Sequence, residues 1–473
     1  MKKGIQYTVV LLLCFLLLEA CATNPSDEGW KQVDDILAQI VPPVFPDTVF
    51  NIQDFGAVGD GITMCTDAIR NAIEQCSASG GGTVLVPEGT YLTGAIHMKA
   101  NVNLHISENS ILLFSRNFDD YLPVVHARFE GNDLMNYSPF IYAKGIKNFA
   151  VSGKGKLDGN SDTSTWWNWK GNRLGGWKPN QPNQKTDRDI LVEMANSGVS
   201  IEERVFGKGH YIRPNFIQFI ECENILIEDV TIIRSPMWEI NPVLCTNITV
   251  RGLKIISHGP NNDGCDPESS KNVLIENCYF DTGDDCIAIK SGREEDGRKF
   301  DTPSENIIVR NCEMKDGHGG VVIGSEISGG CRNVFVENCT MDSPNLDRAL
   351  RIKSNSRRGG LIENIYMRNV RVGEVRQAVF LVNFYYAEGD VGEYTPVVRN
   401  IFIDQVSSEK SKYAIWIKGY QRSPVSNIWI SNCQFNGVDQ GNLLSNVDQM
   451  QLKNVYINNE KASEEVISTV DKE

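Results

Sequence analysis

ENILIEDV at 223–230, KNVLIENC at 271–278, ENIIVRNC at 305–312 and RNVFVENC at 332–339 share one pattern: an asparagine, a branched apolar residue, any residue, a second apolar residue, then a polar one. ENIYMRNV at 363–370, RNIFIDQV at 399–406 and SNIWISNC at 426–433 repeat it. Alternation with period two is the mark of a half-buried strand. The repeat asparagines Asn224, Asn247, Asn272, Asn306, Asn333, Asn364, Asn400 and Asn427 lie 23 to 36 residues apart, the range of one solenoid coil. A coil of this size buries its apolar face only by stacking on its neighbours, and its surplus residues must leave as loops. The chain is therefore predicted to be all-β, a right-handed parallel β-helix whose loops wall a groove. A β-propeller or a leucine-rich repeat would need blade motifs or a leucine lattice, and the sequence has neither.

Outside the repeats, Phe50–Ile52 reads as a strand, 56–61 as a turn and Thr66–Cys76 as an amphipathic helix, a short N-terminal cap on the solenoid. Residues 22–47, closed by Pro42, Pro43 and Pro46, read as a tether. Before them, Lys2 and Lys3 precede an apolar run from Val9 to Leu18, the layout of a secretory signal in residues 1–21. Leu18-Glu19-Ala20-Cys21 resembles a bacterial lipoprotein cleavage site, which would place a lipid on Cys21; simple cleavage is the alternative. One β-helix domain is expected over 48–473, exported by a bacterium to the periplasm or held at the outer membrane or cell surface.

The net charge of −14 argues against a nucleic-acid partner, because phosphate binding needs a broad basic surface. A polyanionic ligand would need a local basic patch. Of thirteen cysteines, four recur in one motif, as Asn277-Cys278, Asn311-Cys312, Asn338-Cys339 and Asn432-Cys433, and are read as stacked core residues; the pairing of the others is open. No CxxC pair or histidine cluster suggests a metal. No cofactor is expected, and the chain is expected to act as a monomer.

Four consecutive coils carry polar clusters that the repeat does not require: NNDGCD at 261–266, GDDC at 283–286, GHG at 317–319 and RIK at 351–353. Superimposing CIAI at 286–289 on GVVI at 320–323 puts His318 in the column of Asp284, with Asp263 one coil earlier. With strands about 4.8 Å apart, Asp263, Asp284 and Asp285 converge on one patch beside His318. Such carboxylates cannot ionise independently, so one is expected to keep its proton near neutrality, giving an acid beside bases. An inverting glycosidase places these groups about 6.5–9.5 Å apart, a gap that a diagonal across one coil could supply. Arg351 and Lys353, two apart in a strand, share a face. A single Asp-Gly or Asp-Asp pair is usually a turn; four clusters in register are not.

These four clusters, in this order on a β-helix, resemble the polygalacturonases of glycoside hydrolase family 28, over roughly Phe50 to the C-terminus. The resemblance implies a pectic polysaccharide or oligogalacturonide substrate, Asp284 as general acid, Asp263 and Asp285 as the pair that activates water, and His318 as the group that tunes them. It implies Arg351 and Lys353, with Asn261 and Lys290 beside them, as substrate-binding residues. Asn262, Cys265 and Gly320-Val321 depart from the family's pattern and bear on which pectic substructure is cut. The loop Ser291–Pro303 resembles one in exo-acting bacterial members, so exo-hydrolysis is expected. A calcium-dependent pectate lyase and a non-catalytic glycan-binding solenoid are the rivals. His258 receives no role. For Trp166, Trp167, Trp169 and Trp177, in a glycine- and asparagine-rich stretch, stacking on a sugar and loop packing are equally open.

Overall fold

The computed structural model describes residues 25–469, so the leader and Cys21 lie outside the described residues. The repeat strands form one long parallel sheet. Its register follows the motif without slippage: Ile225, Ile248, Val273, Ile307, Val334, Ile365, Ile401, Ile428 and Met450 occupy one inward row. A second parallel ladder, Ile287–Val321–Leu350–Phe380–Ile415–Asn442, forms another face of the solenoid and the floor of the site. The connections are parallel crossovers, which take the right-handed path.

The repeat asparagine has a backbone role. Each of the eight adopts the left-handed conformation, with φ between 54° and 60°, which asparagine tolerates better than other residues with a Cβ. Its side-chain amide donates to the asparagine carbonyl oxygen of the preceding coil at 2.7–3.2 Å. The asparagines thus form a hydrogen-bonded ladder at the corner where each coil enters its strand. All eleven described cysteines are free and buried, in keeping with Cys278, Cys312, Cys339 and Cys433 as packing residues.

The helix Thr66–Ala78 buries Ala68, Ile69, Ala72, Ile73 and Cys76 against strands Val49–Asn51, Gly82–Val86 and Val102–Ile106 of the first coils. It covers the open end of the core, as the sequence predicted. The tether expectation is corrected. Helices Pro25–Trp30 and Gln32–Leu37 dock on the outside of the repeat sheet, where Val33, Ile36 and Ile40 pack on Leu274, Ile308, Phe335, Tyr366 and Phe402. These five occupy the outward position of successive repeats, and Phe335, Tyr366 and Phe402 stack at 4.9 and 5.0 Å. An outward apolar column of that size needs a cover, and the N-terminal segment provides it, with Arg368 lying over Trp30 at 3.8 Å.

Candidate active site

The second ladder sets the site. Pairing of Ile287 with Val321 puts Asp284 opposite His318, as expected. Pairing of Cys265 with Ile287 puts Asp263 opposite Asp285, one position from the column expected for it. One oxygen from each of Asp263, Asp284 and Asp285 lies within 4.8 Å of the others, less than the gap expected for an inverting pair. The reason is local: two of the three are adjacent in sequence and the third is one rung away. The glycines of these clusters are demanded by space. A Cβ on Gly264 would sit 2.5 Å from the Cys286 carbonyl oxygen, and one on Gly283 2.5 Å from that of Gly259.

The three carboxyls differ in environment. His318 Nδ1 lies 2.8 Å from Asp284 Oδ1, and the Asn261 amide donates to Asp284 Oδ2 at 3.4 Å. Burial works against ionising Asp284, but the His318 hydrogen bond and the charges of His318, Lys353 and Lys290 outweigh it and hold the carboxyl well below the usual range. Asp285 is fully buried; Lys353 Nζ donates to Oδ2 at 2.7 Å and Arg351 Nη1 stands 3.5 Å from Oδ1. Against burial, Lys353 and then Arg351 keep it ionised. Asp263 goes the other way: burial first, then the charges of Asp284 and Asp266, push it well above the carboxylate range. Of the three, Asp263 is the carboxyl whose surroundings favour the protonated form, while those of Asp284 and Asp285 favour the ionised form. The bond to Asp284 raises the His318 imidazole above its ordinary value.

Two residues expected to meet substrate prove to have internal duties. Lys290 is 2% exposed and stands 3.8 Å from Asp263, 3.6 Å from Asp266 and 3.5 Å from Glu326, with the Trp238 ring 4.5 Å away. Asn261 accepts from Arg213 Nη2 at 2.8 Å and so orients Asp284. Arg213 was invisible in the sequence; fully buried, it also ties down the carbonyls of Pro236 and Pro260. Asp266, Glu326 and Trp238 were likewise missed, although Asp266 lies within the quoted cluster. His258 pairs with Asp281 at 3.0 Å; with Asp316 they make a second group of donors that could hold a metal ion, as the trio could. Around the trio, Lys290, Lys353 and Arg351 already compensate the negative charge, which suits acid–base work.

The pocket holding Asp263 and Asp284 is walled by insertions from several coils. Glu130, at the tip of the hairpin Val125–Asn136, accepts from Arg188 Nε at 2.6 Å, on the helix Lys185–Asn196. Arg293 bridges Glu130 at 3.4 Å and Glu388 at 3.5 Å, and Arg358 joins Glu388 at 3.2 Å to Glu294. The stretch Ser291–Pro303, expected as a loop, contains the helix Glu294–Phe300 and forms part of this wall. For Trp166 and Trp169 the packing reading holds: both are buried in a cluster with Phe118, Tyr121 and Tyr137. Trp167 donates to the Ser235 carbonyl at 2.7 Å, and Trp177 to that of Gln181 at 2.8 Å.

Residues 203–455 match the model of glycosyl hydrolases family 28, and residues 49–252 match that of rhamnogalacturonase A/epimerase, pectate lyase-like. The crystal structure of a hyperthermoactive exopolygalacturonase from Thermotoga maritima superimposes with a TM-score of 0.91 at 46% identity, covering 93% of this chain and 98% of that one. An exo-poly-alpha-D-galacturonosidase of Dickeya chrysanthemi is 28% identical over 443 residues, 87% of this chain and 71% of the relative. A probable polygalacturonase of Vitis vinifera is 28% identical over 398 residues, 81% and 73% of the two chains. With the β-helix, the carboxylate trio and these matches together, the chain belongs to glycosyl hydrolases family 28.

Proposed function

We propose that this protein is an exo-acting polygalacturonase that hydrolyses the α-galacturonide bond at the end of a pectic chain with inversion. The observation that carries this reading is a pocket that holds Asp263 and Asp284, is lined by cations and is walled by ion-paired insertions. A pocket walled in this way suits a chain end better than the middle of a polymer. Asp284 is the most exposed of the three, with 17% of its side chain accessible against 4% for Asp263 and 0% for Asp285, and it donates the proton to the leaving oxygen. His318 stands behind it, and the two share one proton across their hydrogen bond. An anionic sugar entering the pocket raises the carboxyl nearest to it, which favours protonated Asp284, and Asp263 and Asp285 act on the attacking water. Asp285, clamped by Lys353 and Arg351, is poorly placed as a covalent nucleophile, and that supports inversion despite the short carboxylate spacing. Remaining donors of Arg351 and Lys353 face a galacturonate carboxylate, for which charge-assisted hydrogen bonds are suited.

His318→Ala is expected to lower kcat by about 100-fold, the lower end of the general acid–base range, and to move the basic limb of the kcat profile to lower pH. In the parent, activity is lost as pH rises through the raised His318 pKa; without the imidazole the proton is held by Asp284 alone and leaves earlier. An unmoved limb would dissociate His318 from proton delivery. Product analysis over time on polygalacturonate tests the mode of action: monomer is expected from the earliest points, with no ultraviolet-absorbing unsaturated product. A spread of oligomers before monomer would remove the exo assignment, and unsaturated product would establish elimination. Action outside the cytoplasm, and a lipid on Cys21, belong to the same proposal; the mass of the mature N-terminal peptide tests the anchor.

A further inference from the structure

Five cations line the pocket: Lys170, Arg188, Lys290, Lys353 and Arg358. Four are committed within the protein, Arg188 to Glu130, Lys290 to Asp263, Asp266 and Glu326, Lys353 to Asp285, and Arg358 to Glu294 and Glu388. The Lys170 ammonium has no hydrogen-bond or ion-pair partner among the described residues, although it feels the charges of Glu130 and Asp284. It sits at the end of the short helix Trp166–Lys170, which Gly171 terminates in the left-handed conformation, φ 75°. That turn is held in place by the buried Trp166 and Trp169, by the Trp167 bond to Ser235 and by Gln184, whose backbone N–H donates to the Trp169 carbonyl at 2.7 Å. A rigid turn therefore presents one uncommitted positive charge to a pocket that holds the reacting carboxylates.

Resting on the polygalacturonase reading, we propose that Lys170 is a specificity residue that receives a carboxylate of the bound galacturonide. An uncompensated, partly desolvated ammonium beside a sugar-sized pocket gains most from an anionic ligand group. A neutral sugar leaves it unpaired. In full-length enzyme, Lys170→Met is expected to raise KM for digalacturonate by about 10- to 100-fold, the scale of one charge-assisted hydrogen bond, with kcat changed much less. Lys170→Arg is expected to recover most of the loss. On digalacturonate methyl-esterified at both carboxyls, parent and Lys170→Met are expected to perform alike, since the charge to be recognised is gone. Thermal unfolding midpoints of parent and variants are expected to differ little, because the ammonium has no hydrogen-bond or ion-pair partner among the described residues. An unchanged KM for digalacturonate, or an equal loss on the esterified substrate, would overturn the role of Lys170 while leaving the polygalacturonase reading intact. Failure of the parent to hydrolyse digalacturonate would take down both.

Discussion

Asp284→Asn is expected to reduce kcat by about 10³- to 10⁴-fold, near the upper range for loss of a general acid, with little change in KM. The amide is isosteric and keeps a contact to Asn261 and to His318, but it cannot deliver a proton to a leaving oxygen. Stability is expected to fall modestly at neutrality, because a carboxyl held well below its usual range by His318, Lys353 and Lys290 stabilises the fold in its ionised form. Relief of the repulsion that lifts Asp263 offsets part of that loss. Steady-state kinetics on oligogalacturonides with thermal unfolding of the same preparation separates the two effects. A variant retaining a tenth or more of the parental rate would transfer the acid role elsewhere, with Asp263, the carboxyl that burial and its neighbours push up, the first alternative.

Lys290→Met is expected to cost about 3–5 kcal/mol of stability, the usual consequence of removing one partner from a buried ionic cluster. Methionine fills nearly the same volume, so loss of the charge dominates. Three carboxyls, on Asp263, Asp266 and Glu326, would then face one another without their shared counter-ion. The pH dependence has a definite sign. Burial pushes Glu326 up, and the surrounding cations, Lys290 first, overcome it and hold it at about 2. A depressed carboxyl contributes stability above its unfolded value and loses that contribution as pH falls through its folded one. The penalty of Lys290→Met is therefore expected in full near neutrality and to shrink between about pH 4.5, the ordinary value for glutamate, and about pH 2. Denaturant unfolding at several pH values measures it; a loss below about 1 kcal/mol at neutrality would show that Lys290 is not the counter-ion of the cluster.

The parts of this structure that were legible in sequence are those governed by a period. The Asn-initiated repeats announced coil length, inward face and register, and the same register carried Asp284 and His318 to one column. Asp263 fell one position off because its alignment depended on a loop without a repeat strand, where no periodic residue fixes the count. Charge partners were harder to read. Lys290, Arg351 and Lys353 looked like free basic groups, whereas the fold presses the first against three acids and the other two against Asp285. Nothing local to Arg213 or Glu326 marks them, since their partners arrive from other coils. The outward aromatics Phe335, Tyr366 and Phe402 were in plain view within the repeats, yet a period-two pattern says only that they face away from the core, not that the segment around Trp30 and Ile36 returns to cover them. The wall was foreshadowed by insertion lengths alone, because it rests on ion pairs among five separate segments.

On this reading the trio delivers a proton and a water to the terminal bond of a galacturonide. Proton NMR of trigalacturonate mixed with the enzyme tests that delivery most directly. The first detectable product is expected to be the β anomer formed from the α linkage, accompanied by monogalacturonate and digalacturonate in equal amounts. Initial appearance of the α anomer would contradict water attack between Asp263 and Asp285 and require a covalent intermediate.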